Sequence, residues 1–234
     1  MSTILSNRVQ KIKPSATLAV GEKAKQLKAQ GAKIVSMGSG EPDFDTPVNI
    51  KNAAIQAISA GETRYTAVDG TPQLKNTICE KFKRENGLDY SVNEVMVSSG
   101  GKQVFYNLCQ AILSKGDEVI IPAPYWVSYP DIAILADATP VFIETGLEQE
   151  FKITAEQLES SINANTKLFV LNSPSNPTGA VYTKSEIESL GDVLERHPHV
   201  HVISDDIYEH IRWEDDAFVN IAMACPNLKN RTII

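Results

Sequence analysis

From Glu94 onward, short apolar stretches alternate with amphipathic ones, and this rhythm limits the possible folds more than any other feature of the chain. EVMVSS (94–99), DEVIIP (117–122), TPVFIE (139–144), KLFVLN (167–172) and VHVISD (200–205) read as strands. Between them GKQVFYNLCQAILS (101–114), residues 127–136, TAEQLESSIN (154–163) and TKSEIESLGDVLERH (183–197) read as helices. Strands alternating with amphipathic helices imply βαβ units, and so an α/β fold with a mostly parallel sheet covered by helices on both faces. Upstream, PSATLAVGEKAKQLKAQG (14–31) predicts a helix stopped by Gly31, AKIVSM (32–37) a strand, and residues 48–60 and 71–85 two more helices. Such sheets bind ligands beyond the carboxyl ends of their strands, so the residues just after each strand carry the most information.

Composition narrows the classes of partner. A net charge of −7 argues against nucleic acid and anionic membranes. No apolar run is long enough to span a bilayer and the N-terminus has no signal-like apolar region, so a cytoplasmic protein is expected. Cys79, Cys109 and Cys225 form no CxxC and read as reduced, mostly buried thiols. His197, His199 and His201 lie close together without a cysteine or acid at metal-site spacing, which argues against a metal centre.

The strand ends are distinctive. EVMVSS is followed by Gly100-Gly101-Lys102 at the start of a helix, where backbone N–H groups and the helix dipole can meet an anion. This is neither a GxxxxGK[ST] loop nor a GxGxxG turn, so nucleotides are disfavoured while a phosphate stays open beside an ordinary tight turn. DEVIIP leads into APYWVSYP, where Trp126 is either a core aromatic or a flat surface for a heteroaromatic ring. Asp205 in SDDIYEH is either a helix cap or a carboxylate for a protonated ring nitrogen, with Tyr208 on the same face of a starting helical turn. NSPSNPTG (172–179) fixes the backbone after KLFVLN far more than a simple turn requires. A phosphate cradle, a stacking ring, an acid and a phenol together suit pyridoxal 5'-phosphate.

The series GSGEPDFDTP, TRYTAVDGTPQL, SSGGKQ, PAPYWVSYP, NSPSNPTG and SDDIYEH resembles the class I/II aminotransferases of fold type I, most closely the bacterial aspartate aminotransferase branch. The resemblance covers essentially the whole chain. It implies a transaminase moving an amino group between aspartate or glutamate and a 2-oxo acid, in a homodimer with shared sites. It implies Gly100, Gly101 and Lys102 at the cofactor phosphate, Trp126 stacked on the ring, Asp205 at its nitrogen, and Tyr208 and Asn176 at its oxygen. Pro177 and Gly179 would hold the Asn176 amide in place. Tyr65 would reach the phosphate of the neighbouring subunit. Gly40, Trp126 and Asn176 would contact substrate, and Lys102 with Ser15 and Thr17 would face a distal carboxylate.

The sequence also departs from that family. The lysine that carries the cofactor belongs to an S-x-x-K-like segment about thirty residues past Asp205, beyond Ile234. Lys229, in what reads as the surface loop CPNLKN, lacks that setting. The chain therefore reads as an N-terminal portion: an arm and leading segment at 1–45, then a truncated cofactor domain at 46–234. No catalytic residue for the proton transfer is expected within it, and residues 1–234 alone are expected to be inactive. Other enzymes of the class, acting on aromatic, alanine or prephenate substrates, share these motifs, and a non-catalytic dimerising fragment is the alternative from another class.

Overall fold

The computed structural model describes residues 4–12, 16–38, 40–213 and 216–234, with only the backbone described for 16–18. The elements are α1 (Asn7–Gln10), α2 (Ala16–Ala29), α3 (Val48–Ser59), α4 (Pro72–Lys81), α5 (Gly101–Ile112), β1 (Glu118–Ala123), α6 (Ser128–Leu135), β2 (Thr139–Glu144), α7 (Ala155–Ser161), β3 (Thr166–Asn172), α8 (Lys184–Arg196), β4 (His201–Asp205), α9 (Ile221–Ala224) and β5 (Thr232–Ile233). The chain divides into two compact units, Met1–Ile12 with Pro72–Ile234, and Lys13–Thr71.

The larger unit is built on a five-stranded sheet of order β2-β1-β3-β4-β5, parallel throughout. Successive strand side chains point to opposite faces, so each buried strand feeds two cores. Ile120, Phe169, Leu171 and Val202 meet Ile187, Leu190 and Leu194 of α8, together with Ile221 and Leu228. Their neighbours Val119, Ile121, Leu168, Val170 and Ile203 turn the other way, toward Phe105 and Cys109 of α5 and Tyr129, Ile132 and Ala133 of α6. Each large side chain removed from water in this way stabilises the fold by about 1.5–3 kcal/mol. Both faces are covered, as the run of apolar residues in each strand requires.

Local signals fix the helix ends. α7 and α8 open with capping boxes, Thr154 with Gln157 and Thr183 with Glu186, each threonine accepting from the backbone N–H three residues on. In the smaller unit α2 stops as expected at Gly31, which adopts φ 85°. α4 runs into a π-helical turn, Phe82–Asn86, closed by Gly87 at φ 66°.

Five expectations need correction. AKIVSM and EVMVSS are not strands: residues 32–37 have no regular structure, and Val92–Glu94 is a 3-10 turn followed by non-ladder residues. A strand exists only where another backbone accepts and donates, and among the described residues neither stretch has such a neighbour. Residues 207–210 form a turn and not the start of a helix, because Asp205 ends β4 and its Oδ1 accepts from Ile207 N at 3.3 Å. CPNLKN is a 3-10 helix that buries Leu228, with Lys229 Nζ donating to the Asp89 carbonyl at 2.5 Å and lying 4.5 Å from the Tyr90 ring centre. Finally, only Cys109 is buried; Cys79 and Cys225 are half-buried, and burial pushes the Cys109 thiol up to about 12.

Candidate active site

The site gathers at the carboxyl ends of β1, β3 and β4. In the parallel register Asn172 and Asp205 are partners on neighbouring strands, and Asn172 Nδ2 donates to the Asp205 carbonyl at 2.8 Å. The Asn172 side-chain oxygen in turn accepts from the Asn176 backbone N–H at 2.8 Å. One amide thus ties the NSPSNPTG turn to the end of β4. The turn closes on itself through Ser175 N to Ala180 O (2.9 Å) and Gly179 N to Ser175 O (2.8 Å). Gly179 sits at φ 72°, a conformation that residues with a Cβ rarely adopt. The peptides before Pro174 and Pro177 are cis, as is that before Pro124. So fixed, the Asn176 side chain donates toward Tyr208 Oη at 3.4 Å.

Asp205 is held from the other side. Tyr129 Oη donates to Asp205 Oδ2 at 2.5 Å, across 76 residues of sequence. Tyr129 is buried between Phe105 and Trp126, with ring centres 5.0 and 5.2 Å away in edge-to-face geometry. Burial first, and then the Asp205 carboxylate, push the Tyr129 phenol well above the usual tyrosine range, so it stays a donor. Asp205 therefore combines two roles, a local turn contact through Oδ1 and a fixed carboxylate through Oδ2. Such a carboxylate can keep a facing ring nitrogen protonated.

Gly100, at φ 90°, is the N-cap of α5 and brings no side chain to that terminus. The first turn of a 12-residue helix therefore presents backbone donors and positive dipole at Gly101 and Lys102. The exposed Lys102 ammonium lies 5.3 Å from the Trp126 ring centre. A cavity of about 240 Å³ opens beside this terminus, lined among others by Gly101, Phe105, Ser204, Asp205 and Asp206. Anion donors at one end, a fixed acid at the other, and a phenol and an amide nearby are the groups a flat, phosphorylated pyridine ring needs. The residues present fit pyridoxal phosphate.

Of the sequence-predicted residues, Lys102 lies beside Trp126, Asn176 donates toward Tyr208, and Asp205 lines the cavity together with Gly101. Gly40 and Tyr65 belong to the Lys13–Thr71 unit. A Cβ at Gly40 would meet nothing within 4 Å, and Tyr65 is fully exposed. Ser15 lies outside the described residues, and so does the side chain of Thr17 in α2. Two contributors escaped the sequence reading, Tyr129 and Asn172. Tyr129 sits three residues after Trp126, one helical turn on, which marked it as a neighbour of the site without revealing its partner. The histidines serve elsewhere: His197 Nε2 is 2.7 Å from Glu159 Oε1 and His199 Nε2 is 3.1 Å from the Asn163 carbonyl. Among the described residues no helix is long and apolar enough to cross a membrane.

Comparison with known proteins agrees with this geometry. The family described as aminotransferase class I and II matches residues 32–233. An aspartate/prephenate aminotransferase of Nitrosomonas europaea is 58% identical over 98% of this chain, and one of Cereibacter sphaeroides is 56% identical over the same share. The crystal structure of the aspartate aminotransferase from Rhizobium meliloti superposes with a TM-score of 0.95 at 48% identity, over 99% of this chain. That from Thermus thermophilus, solved with maleate, superposes at 0.92 with 44% identity over 98% of this chain. The chain spans 58% of the length of the Nitrosomonas relative and of the Rhizobium structure, and 57 and 59% of the Cereibacter and Thermus proteins. A match over residues 32–233, on a site that fits this family's cofactor, means that the chain belongs to the class I and II aminotransferases.

Proposed function

We propose that this chain is the cofactor-holding part of an aminotransferase that moves an amino group between aspartate or glutamate and a 2-oxo acid. The observation that carries the reading is the convergence of Asp205, fixed by Tyr129, with Tyr208, Asn176, Trp126 and the α5 terminus at one end of the sheet. Pyridoxal phosphate supplies the sink for the electron pair left when the substrate Cα gives up its proton. Asp205 holds the ring nitrogen protonated by opposite charge, and Tyr129 keeps that carboxylate aimed. Tyr208 and Asn176 meet the ring oxygen, and the N–H groups of Gly101 and Lys102 meet the phosphate. Trp126 covers one ring face and excludes water from it. We assign the moving proton to a lysine outside residues 1–234. The one lysine within them that ends a literal S-x-x-K, Lys102 of Ser99-Gly100-Gly101-Lys102, opens α5 and is assigned to the phosphate and the distal carboxylate. Tyr65, exposed in the single chain, suits a contact with the phosphate of a second subunit, which makes the working unit a homodimer.

The substrate class rests on Lys102, a cation beside Trp126, and on relatives named for aspartate. Maleate, found in the Thermus structure, is a dicarboxylate. A second reading, prephenate as amino acceptor, is favoured by the names of the Nitrosomonas and Cereibacter relatives. The test is turnover by the full-length protein with aspartate or glutamate as donor and oxaloacetate, 2-oxoglutarate or prephenate as acceptor, before and after Lys102→Ala. Losing the cation should weaken dicarboxylates about tenfold or more and aromatic substrates much less, the size of one charge-assisted hydrogen bond. Equal losses across both classes would remove Lys102 from the reading. Borohydride reduction of residues 1–234 with pyridoxal phosphate should label no single lysine stoichiometrically.

A further inference from the structure

The turn that carries Asp205 and Tyr208 is short and irregular, and its own backbone does little to hold it. Beyond β4 its internal backbone bonds are Glu209 N to Asp206 O at 2.9 Å and Ile211 N to Tyr208 O at 2.8 Å. A loop with so few bonds of its own opens easily unless side chains fasten it. Two acids in the turn, which also border the cavity, do so through contacts with other elements. Asp206 Oδ1 accepts from Ser204 Oγ at 2.6 Å and Oδ2 accepts from Asn220 Nδ2 at 2.6 Å. Asn220 is itself buried and locked, because its Oδ1 caps α9 by accepting from Met223 N at 2.9 Å. Glu209 pairs with Lys81 through Oε1 and accepts from Asn86 Nδ2 at 3.2 Å through Oε2. Lys81 also donates to Asn86 Oδ1 at 2.9 Å, so the residues flanking the π-helical turn after α4 form one clamp.

We propose that Asp206 and Glu209 are positioning residues, fastening the Asp205–His210 turn to α9 and α4 so that Asp205 and Tyr208 are held ready for the cofactor. The inference rests on the function proposed above. The hydrogen-bond partners alternate: Asp205 meets Tyr129, Asp206 the α9 cap, Tyr208 Asn176, and Glu209 the α4 clamp. An acid is needed most plainly at 209, where glutamine would set an NH₂ group against the Lys81 ammonium or the Asn86 amide. At 206 asparagine could still accept from Asn220 and donate to Ser204 Oγ, so only removal of both acceptors, as in Asp206→Ala, breaks the tie. Burial raises the Asp206 carboxyl to about 7 despite its two hydrogen bonds, with Glu209 and Asp205 adding to the rise. The fold thus accepts a cost at Asp206 that an apolar side chain would avoid, as proteins do where function needs a group.

The test compares Asp206→Ala and Glu209→Gln with the wild type in the full-length protein. It reads hydrogen exchange of the cofactor-free form, pyridoxal phosphate affinity, and kcat against KM. Exchange at the amides of 207–211 should quicken while that of β1, β3 and β4 does not. Cofactor affinity and kcat should each fall about 10–100-fold, as for other groups that orient a site residue, with KM moving far less. Unchanged exchange in the turn, or faster exchange with cofactor affinity and kcat intact, overturns the proposal. Should Asp206→Ala loosen the whole sheet, Glu209→Gln, at a half-buried ion pair, decides alone. A wild type that binds no pyridoxal phosphate sinks the functional reading, and the exchange comparison then still decides whether the two acids fasten the turn.

Discussion

KLFVLN and EVMVSS are similar apolar stretches, yet one is the central strand β3 and the other forms no strand. Leu168–Asn172 pairs with β4 along its length, and β3 also pairs with β1. Residues 95–99 pair with nothing among the described residues, and Met96 stays 59% exposed. The contrast extends to function. Asp205, Tyr208 and Asn176 stand at the ends of β3 and β4, where neighbouring backbones hold them, whereas Gly101 and Lys102 follow the unpaired stretch and owe their place to the start of α5. At the β5 edge a groove of about 650 Å³ mixes Phe82, Met96, Leu108 and Ile233 with Glu94, Asn107 and Lys229. A pleated stretch becomes rigid, and able to aim a side chain, only when paired on both sides.

The largest effect should come from the well-paired end. In the full-length protein, Asp205→Asn should keep cofactor binding but slow proton removal from the substrate by orders of magnitude, because an amide cannot hold the ring nitrogen protonated. Single-turnover rates close to wild type would reduce Asp205 to a turn residue.

Next, the two stretches can be compared directly by urea unfolding of this chain. Phe169→Ala removes a fully buried side chain from β3 and should cost about 3–5 kcal/mol. Met96→Ala, on the unpaired stretch, should stay within about 0.5 kcal/mol. Similar costs would mean that residues 95–99 are as well packed as the sheet.

A smaller contrast is set by pH. The Asp206 carboxyl is raised from 3.8 to about 7 in the fold, with Asp205, Glu209 and Tyr90 as its charged or titratable neighbours and Ser204 and Asn220 as its donors. The folded state therefore keeps this proton where the unfolded chain has lost it. Its contribution is fully favourable below about pH 4, declines as pH rises toward 7, and levels off above. Between pH 5 and 8 the wild type should lose stability relative to Asp206→Asn, and parallel curves would mean that Asp206 titrates normally.

The smallest effect probes packing on the covered face. A Cβ at Gly191, in the middle of α8, would run into Cys225 Sγ and approach Leu228. Gly191→Ala should lower stability by about 1–3 kcal/mol despite its better helix propensity, readable as a drop in melting temperature. A rise would show that the contact between α8 and Cys225 is loose.

By itself the sequence determined what depends on near neighbours. Short apolar runs gave β1–β4, the amphipathic stretches between them gave α5–α8, and Gly31 ended α2, since each of these forces acts within a few residues. The site residues were legible for a related reason. Parallel sheets bind at strand ends; Asp205 ends β4, and Trp126, Asn176 and Tyr208 each follow a strand. Tertiary structure alone decided which stretches pair and which groups fasten which. Strand pairing left residues 94–99 without a ladder. Tyr129 found Asp205 76 residues away, Asp206 found Asn220 14 away, and Glu209 found Lys81 128 away. A hydrogen bond or a ladder needs two partners within about 3 Å, and local periodicity describes one of them at a time.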